Sequence, residues 1–132
     1  PVYNRSDELG KRVQIVGWGV TGTANNVSKH DCNNGPEDGM FRAAENIVAS
    51  ANGVIKYVMD EENALPLEGI CASGDSGGPL FLTDNHNVTW VAGVNSGSDD
   101  KNGCIWGSTD QFNRLSEQAA FIAKVLAGGP DY

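Results

Sequence analysis

Positive charge is what this sequence has least of. Nine Lys and Arg stand against seventeen Asp and Glu, for a formal net charge of −8, and no basic cluster interrupts that balance. Nucleic acid and anionic membrane surfaces both require a positive patch, so both are poor partners. Metal-ligating residues are scarce as well. The histidines His30 and His86 and the cysteines Cys32, Cys71 and Cys104 show none of the paired short spacing of a zinc site. The acidic run Asp60-Glu61-Glu62 reads as a solvated turn and not as a cation site. No apolar stretch approaches the roughly 20 residues that cross a bilayer, and the polar opening from Pro1 lacks the pattern of a signal peptide. A chain that begins this way reads as processed or excised. Its 132 residues suffice for one domain that buries about two thirds of its unfolded surface.

Without zinc spacing, the cysteines read best as a disulfide made in an oxidising compartment, with one thiol left free or bonded outside the chain. The expected location is therefore secreted. The triplets Asn4-Arg5-Ser6, Asn26-Val27-Ser28 and Asn87-Val88-Thr89 permit glycosylation if the chain passes through an endoplasmic reticulum.

What the sequence does have is a serine set among glycines, in Gly74-Asp75-Ser76-Gly77-Gly78-Pro79. Glycine on both sides allows positive φ and a close approach of the backbone to a ligand. Such a loop exposes the Ser76 hydroxyl and turns N–H groups outward. The N–H groups of Gly74 and Ser76 can converge on one oxygen as an oxyanion hole, so a nucleophile and an anion receptor share one loop.

Around that loop the chain alternates short apolar runs with turns. Pro1 to Lys11 is a polar lead, and Arg12 to Gly19 reads as a strand ending in a glycine-flanked turn. Thr21 to Gly39 is loop, Arg42 to Ser50 fits a helical turn or a strand, and Val54 to Met59 is a strand. Leu80 to Thr83 should pair with Thr89 to Val94 across Asp84-Asn85-His86-Asn87 as a hairpin. A loop from Asn95 to Gly103 leads to another short strand at Cys104 to Gly107. Ser116 to Leu126 reads as a terminal amphipathic helix capped by Ser116, with Ile122, Val125 and Leu126 on one face. Short strands, glycine turns and one final helix favour an all-β antiparallel barrel or sandwich over an α/β sheet.

The residues resemble the trypsin/chymotrypsin-like serine protease family, whose serine loop reads Gly-Asp-Ser-Gly-Gly-Pro, as residues 74–79 do. Gly17-Trp18-Gly19-Val20-Thr21 is similar to that family's Gly-Trp-Gly-x-Thr turn. Val91 to Gly97 is similar to the strand that binds substrate backbone, and Arg114 to Ile122 to the entry of the C-terminal helix. The resemblance implies an antiparallel β barrel with a C-terminal α-helix, the second of the family's two barrels, over residues 1–132. By the same resemblance, the first barrel, with the catalytic histidine and aspartate, belongs to another chain. Neither His30 nor His86 stands in the family's Ala-Ala-His-Cys context.

The roles that follow are borrowed from the family's triad. Ser76 is the nucleophile, and Gly74 and Ser76 supply the oxyanion hole. Asp75 resembles the carboxylate that pairs with a newly cut N-terminal ammonium. Cys71 and Cys104 resemble the pair that ties the serine loop to the far pocket wall, although Cys71 lies one residue further from the serine than in the family. Cys32 is expected to bond to the N-terminal half or to remain a free thiol. Ile70, or Gly69, marks the pocket floor. With no carboxylate there, an apolar or small side chain is expected before the cleaved bond, unless Glu68, Asp99 or Asp100 folds inward. Ser73, Asn95, Ser96 and Gly97 are the expected rim and backbone-pairing positions.

The resemblance thus implies the C-terminal chain of a serine endopeptidase, needing no metal or cofactor, with an N-terminal protease chain and a peptide substrate as partners. Alone, the chain should be inert for want of a base. The competing reading is a catalytically dead protease-like module that binds or regulates partners.

Overall fold

Alternation in Arg12-Val13-Gln14-Ile15 sends Val13 and Ile15 to one side of an extended chain, and both are buried while Arg12 and Gln14 are exposed. The same two-residue period buries Ile55 and Tyr57, then Leu80 and Leu82, and these side chains meet Tyr3, Val48, Ala92 and Phe112 in one core. Burying each large apolar side chain contributes about 1.5–3 kcal/mol. The computed structural model describes residues 1–23, 35–98 and 105–129.

The strands are β1 (Arg12–Gly17), β2 (Arg42–Ile47), β3 (Ser50–Asn52), β4 (Val54–Val58), β5 (Pro79–Thr83), β6 (Thr89–Ser98) and β7 (Thr109–Arg114). They form one antiparallel sheet in the order β2-β1-β5-β6-β7-β4-β3. The sheet curls until β2 lies against β4. Asn46, buried on β2, stitches that seam by donating to the carbonyls of Val58 at 3.0 Å and Gly69 at 3.3 Å. A half-barrel results, followed by a 3₁₀ turn at Leu115–Gln118 and the helix α1 (Ala119–Leu126).

Several local expectations need correction. Of the stretch Arg42 to Ser50, open between helical turn and strand, Arg42–Ile47 resolves as strand by pairing with β1 from Arg12↔Ile47 to Gly17↔Arg42, and Ser50 begins β3. β6 continues through Ser98 where a loop from Asn95 was expected, since a bulge between Asn95 and Gly97 keeps it in register with β7. Ile105 to Gly107 is turn, and the strand begins at Thr109. Ser116 is no helix cap: its hydroxyl donates to Glu8, and the α-helix starts only at Ala119.

The lead from Pro1 to Lys11 is polar in composition, yet it belongs to the core. The Tyr3 N–H donates to the Val91 carbonyl and the Val91 N–H to the Pro1 carbonyl, both at 2.9 Å, and Tyr3 is fully buried. Glu8, also fully buried, takes both forks of Arg114, at 2.6 and 3.1 Å, together with the Ser116 hydroxyl. Burial raises the Glu8 pKa, but these hydrogen bonds outweigh it and hold the carboxyl below its ordinary value. The start of the chain is thereby locked to the strand that feeds the terminal helix.

Candidate functional site

Ser76 stands exposed between Gly74 and Gly77, whose φ angles of 98° and 81° lie where L side chains are strained. Main-chain bonds pin the loop on both flanks. The Gly77 N–H donates to the Asn95 carbonyl at 3.1 Å, and the Asn95 N–H donates to the Gly78 carbonyl at 2.9 Å, which fixes the serine against β6. The Asp75 N–H reaches the Ala72 carbonyl and the Gly78 N–H the Asp75 carbonyl, forming two successive tight turns. Among the described residues, neither the N–H groups of Gly74 and Ser76 nor the Ser76 hydroxyl has a hydrogen-bond partner.

Asp75 anchors the loop from beneath. Its carboxylate accepts the Gly19 N–H at 2.7 Å on one oxygen and the Ala72 N–H at 3.0 Å on the other. The Val20 N–H adds a bond of 2.9 Å to the Ser73 carbonyl. Glycine is required at two of these contacts, because a Cβ on Gly17 would lie 1.9 Å from an Asp75 carboxylate oxygen, and one on Gly19 2.7 Å. The Gly17-Trp18-Gly19 turn is therefore the seat of the Asp75 carboxylate. Beside it opens a cavity of about 430 Å³ lined by Gly17, Val20, Ala44, Gly69, Cys71 and Trp106, among others.

The other expected positions gather around the same loop. Asn95, Ser96 and Gly97 follow one another on β6. Asn95 is buried, and its side-chain oxygen accepts the Gly97 N–H at 3.0 Å, while its buried Nδ2 has no partner within hydrogen-bond distance among the described residues. The exposed Ser96 donates its hydroxyl to the Gln111 carbonyl. Ile70 and Ser73 lie on the segment that enters the loop, half-buried and exposed respectively. Glu68 does not fold inward as a free carboxylate, because it accepts the N–H groups of Asp60 at 2.6 Å and Leu65 at 2.7 Å.

The remaining positions do not join the loop. His86 is exposed at the tip of the β5–β6 hairpin, a full strand of five residues from the Ser76 end, on the order of 16 Å away. Cys71 is a free thiol among the described residues, and its expected partner Cys104 lies outside them. One residue further from Ser76 than in the resembling family, its sulfur lies 3.9 Å from the Tyr57 hydroxyl. Burial pushes its pKa up, with the nearby Asp110 carboxylate acting in the same direction. Cys32, Cys104, His30, Asp99 and Asp100 lie outside the described residues.

Sequence reasoning missed Asp110. This carboxylate on β7 is buried and accepts the Cys71 N–H at 2.6 Å and the Tyr57 hydroxyl at 2.7 Å. Burial raises its pKa against the effect of those two donors. The available signal was the period of two in Asp110, Phe112 and Arg114, the inward positions of β7. Among the described residues, no group of three His, Cys, Asp or Glu side chains is placed to hold a metal ion.

The family model described as Trypsin matches residues 1–119. No curated protein matches the chain.

Proposed function

The chain belongs to the trypsin family, and on that premise we propose that it is the nucleophile-bearing part of a secreted serine endopeptidase. In this reading the Ser76 hydroxyl oxygen attacks the carbonyl carbon of the scissile peptide bond. A histidine from an N-terminal half outside these residues takes the hydroxyl proton, and an aspartate from the same half holds that histidine in place. The oxyanion that forms accepts the N–H groups of Gly74 and Ser76. Collapse returns the proton to the departing amine and leaves an acyl group on Ser76, which water then removes.

The observation that carries this reading is the Ser76 loop itself, where the exposed serine lies beside two N–H groups, its own and that of Gly74, that no other group in the described chain engages. Fixed, unengaged donors of this kind stabilise developing charge without reorganising.

The N-terminal half is also the partner proposed for the apolar side chains left outside. Val125 and Leu126 on α1 are 44% and 80% exposed. The cavity beside Asp75 accommodates the first residues of that half, whose ammonium would pair with the Asp75 carboxylate. In this reading Cys32 bonds to the same partner and Cys71 to Cys104 under oxidising conditions.

Peptide hydrolysis by the complete protein, blocked by a serine-directed phosphonylating reagent, is the expected outcome. These 132 residues alone should show no turnover. A complete protein that binds peptides but never cleaves them would favour the inactive binding module instead.

A further inference from the structure

Among the described residues one Asn-Gly pair is present, Asn52-Gly53, and it forms the turn between β3 and β4. Asn52 pairs with Val54 across that turn, which leaves Gly53 at the tip with a φ of 70°. Both residues are exposed, and a Cβ on Gly53 would meet nothing within 4 Å, so no packing shields the bond between them. The Asn52 side-chain amide has no hydrogen-bond partner among the described residues. β3 is three residues long and lies at the edge of the sheet. A strand this short, paired on one side only, opens locally at little cost.

Glu117 holds the tip shut. One oxygen of its carboxylate accepts the Gly53 N–H at 3.2 Å and the Arg114 guanidinium at 2.9 Å. The turn is thereby tied to the 3₁₀ segment before α1 and to the buried pair of Glu8 and Arg114. A carboxylate on this N–H opposes loss of its proton, because the amide anion would face a second negative charge. Once the turn opens, that opposition is gone. Gly53, lacking a Cβ, then lets its nitrogen reach the preceding side chain.

We propose that Asn52 is a self-modification site, converted to aspartate and isoaspartate by the Gly53 nitrogen, and that the Glu117 carboxylate sets the rate. The Gly53 nitrogen gives its proton to hydroxide and attacks the Asn52 side-chain carbonyl carbon. A bond from that nitrogen to the carbon forms, the bond to Nδ2 breaks, and the amide nitrogen leaves as ammonia with a proton from water. The five-membered succinimide then takes up one water. Opening at the side-chain carbonyl leaves aspartate, and opening at the main-chain carbonyl leaves an isoaspartyl link with an extra methylene in the backbone. Either product sets a new carboxylate beside the N–H that Glu117 holds, and the isoaspartyl link also breaks the Asn52↔Val54 register. Glu117 is pushed off the turn while it keeps Arg114, and the β3–β4 tip separates from the segment leading into α1. None of this depends on the protease reading.

The test incubates the complete protein at mildly alkaline pH, with Ser76 blocked by a fluorophosphonate against self-digestion, and follows Asn52 by peptide mapping. Aspartate and isoaspartate should both appear at this position, more slowly than in a synthetic peptide spanning Ser50–Ile55. Glu117→Ala should speed the conversion about tenfold, the loss of one charge-assisted hydrogen bond. Glu117→Gln, which keeps an oxygen for the same N–H but no charge, should speed it by a smaller factor, a readout that stands even if the alanine variant does not fold. An Asn52 that stays intact in the unaltered protein through about a hundred half-lives of the peptide, protection beyond that of a locally opening turn, would overturn the inference. Equal rates in the unaltered protein and Glu117→Gln would overturn it as well.

Discussion

The Ser76 loop and strand β7 are both polar in sequence, and they use that polarity in opposite ways. In the loop, Ser73, Gly74, Ser76 and Gly77 face solvent, and the anchoring bonds come almost entirely from main-chain groups and the single Asp75 carboxylate. In β7, Asp110 and Arg114 point inward on either side of Phe112, and their partners are far away in sequence: the Cys71 N–H and Tyr57 hydroxyl for Asp110, the Glu8 carboxylate for Arg114. A polar stretch near glycines can be outward-facing and reactive. One with a period of two can be an inner face whose partners lie tens of residues away.

Removing the loop's chemistry should leave the fold untouched, and this is the largest effect expected. Ser76→Ala in the complete protein should lower peptide turnover by on the order of a million-fold, with stability to denaturant changed by no more than about 0.5 kcal/mol. A variant that loses stability as well would show that the loop helps hold the core.

Breaking the polarity of β7 should do the reverse. Arg114→Ala strands the fully buried Glu8 carboxylate, at an expected cost of about 3–5 kcal/mol in chemical denaturation. A cost under about 1 kcal/mol, the level of a surface pair, would mean that the lead is not locked to β7.

These two regions also differ in how far they could be read in advance. The loop was legible because its residues carry their constraint locally: Gly74 and Gly77 must reach positive φ, and Ser76 is set between them. The strands with Val13, Ile15, Leu80 and Leu82 were legible from alternation. β7 was not, because Thr109-Asp110-Gln111-Phe112-Asn113-Arg114 offers one apolar residue in six, and its inward Asp and Arg make sense only once Tyr57, Cys71 and Glu8 are beside them. The burial within the polar lead was not legible for the same reason. Tyr3 and Glu8 are drawn inward by Val91 and Arg114, neighbours that no local pattern announces.

A smaller effect is expected where loop and barrel meet. Gly17→Ala places a Cβ 1.9 Å from the Asp75 carboxylate and should cost about 1–3 kcal/mol as an overpacked site. It should also slow acylation of Ser76, since Asp75 seats the loop. Normal acylation in a folded Gly17→Ala variant would separate the Asp75 seat from the reactive geometry.

The smallest effect is at the far end of the β5–β6 hairpin. Asp84 accepts the Trp90 indole N–H at 3.0 Å and pairs with Arg5 at 3.1 Å. The Trp90 contact first, then the backbone and Arg5 bonds, hold its pKa down at about 2. A carboxyl lowered on folding contributes stability above its unfolded pKa and loses it as pH falls through the folded value. Trp90 fluorescence should therefore report loosening of this corner between the ordinary carboxylate range and pH about 2. A change confined to higher pH would assign the transition to another group.

The central claim is that Ser76 is a nucleophile whose base is supplied from outside these residues. Fluorophosphonate labelling followed by peptide mapping tests it most directly. The complete protein should carry one adduct, on Ser76, absent from Ser76→Ala and from the 132-residue chain alone. An adduct on another residue, or equally fast labelling of the chain alone, would contradict it.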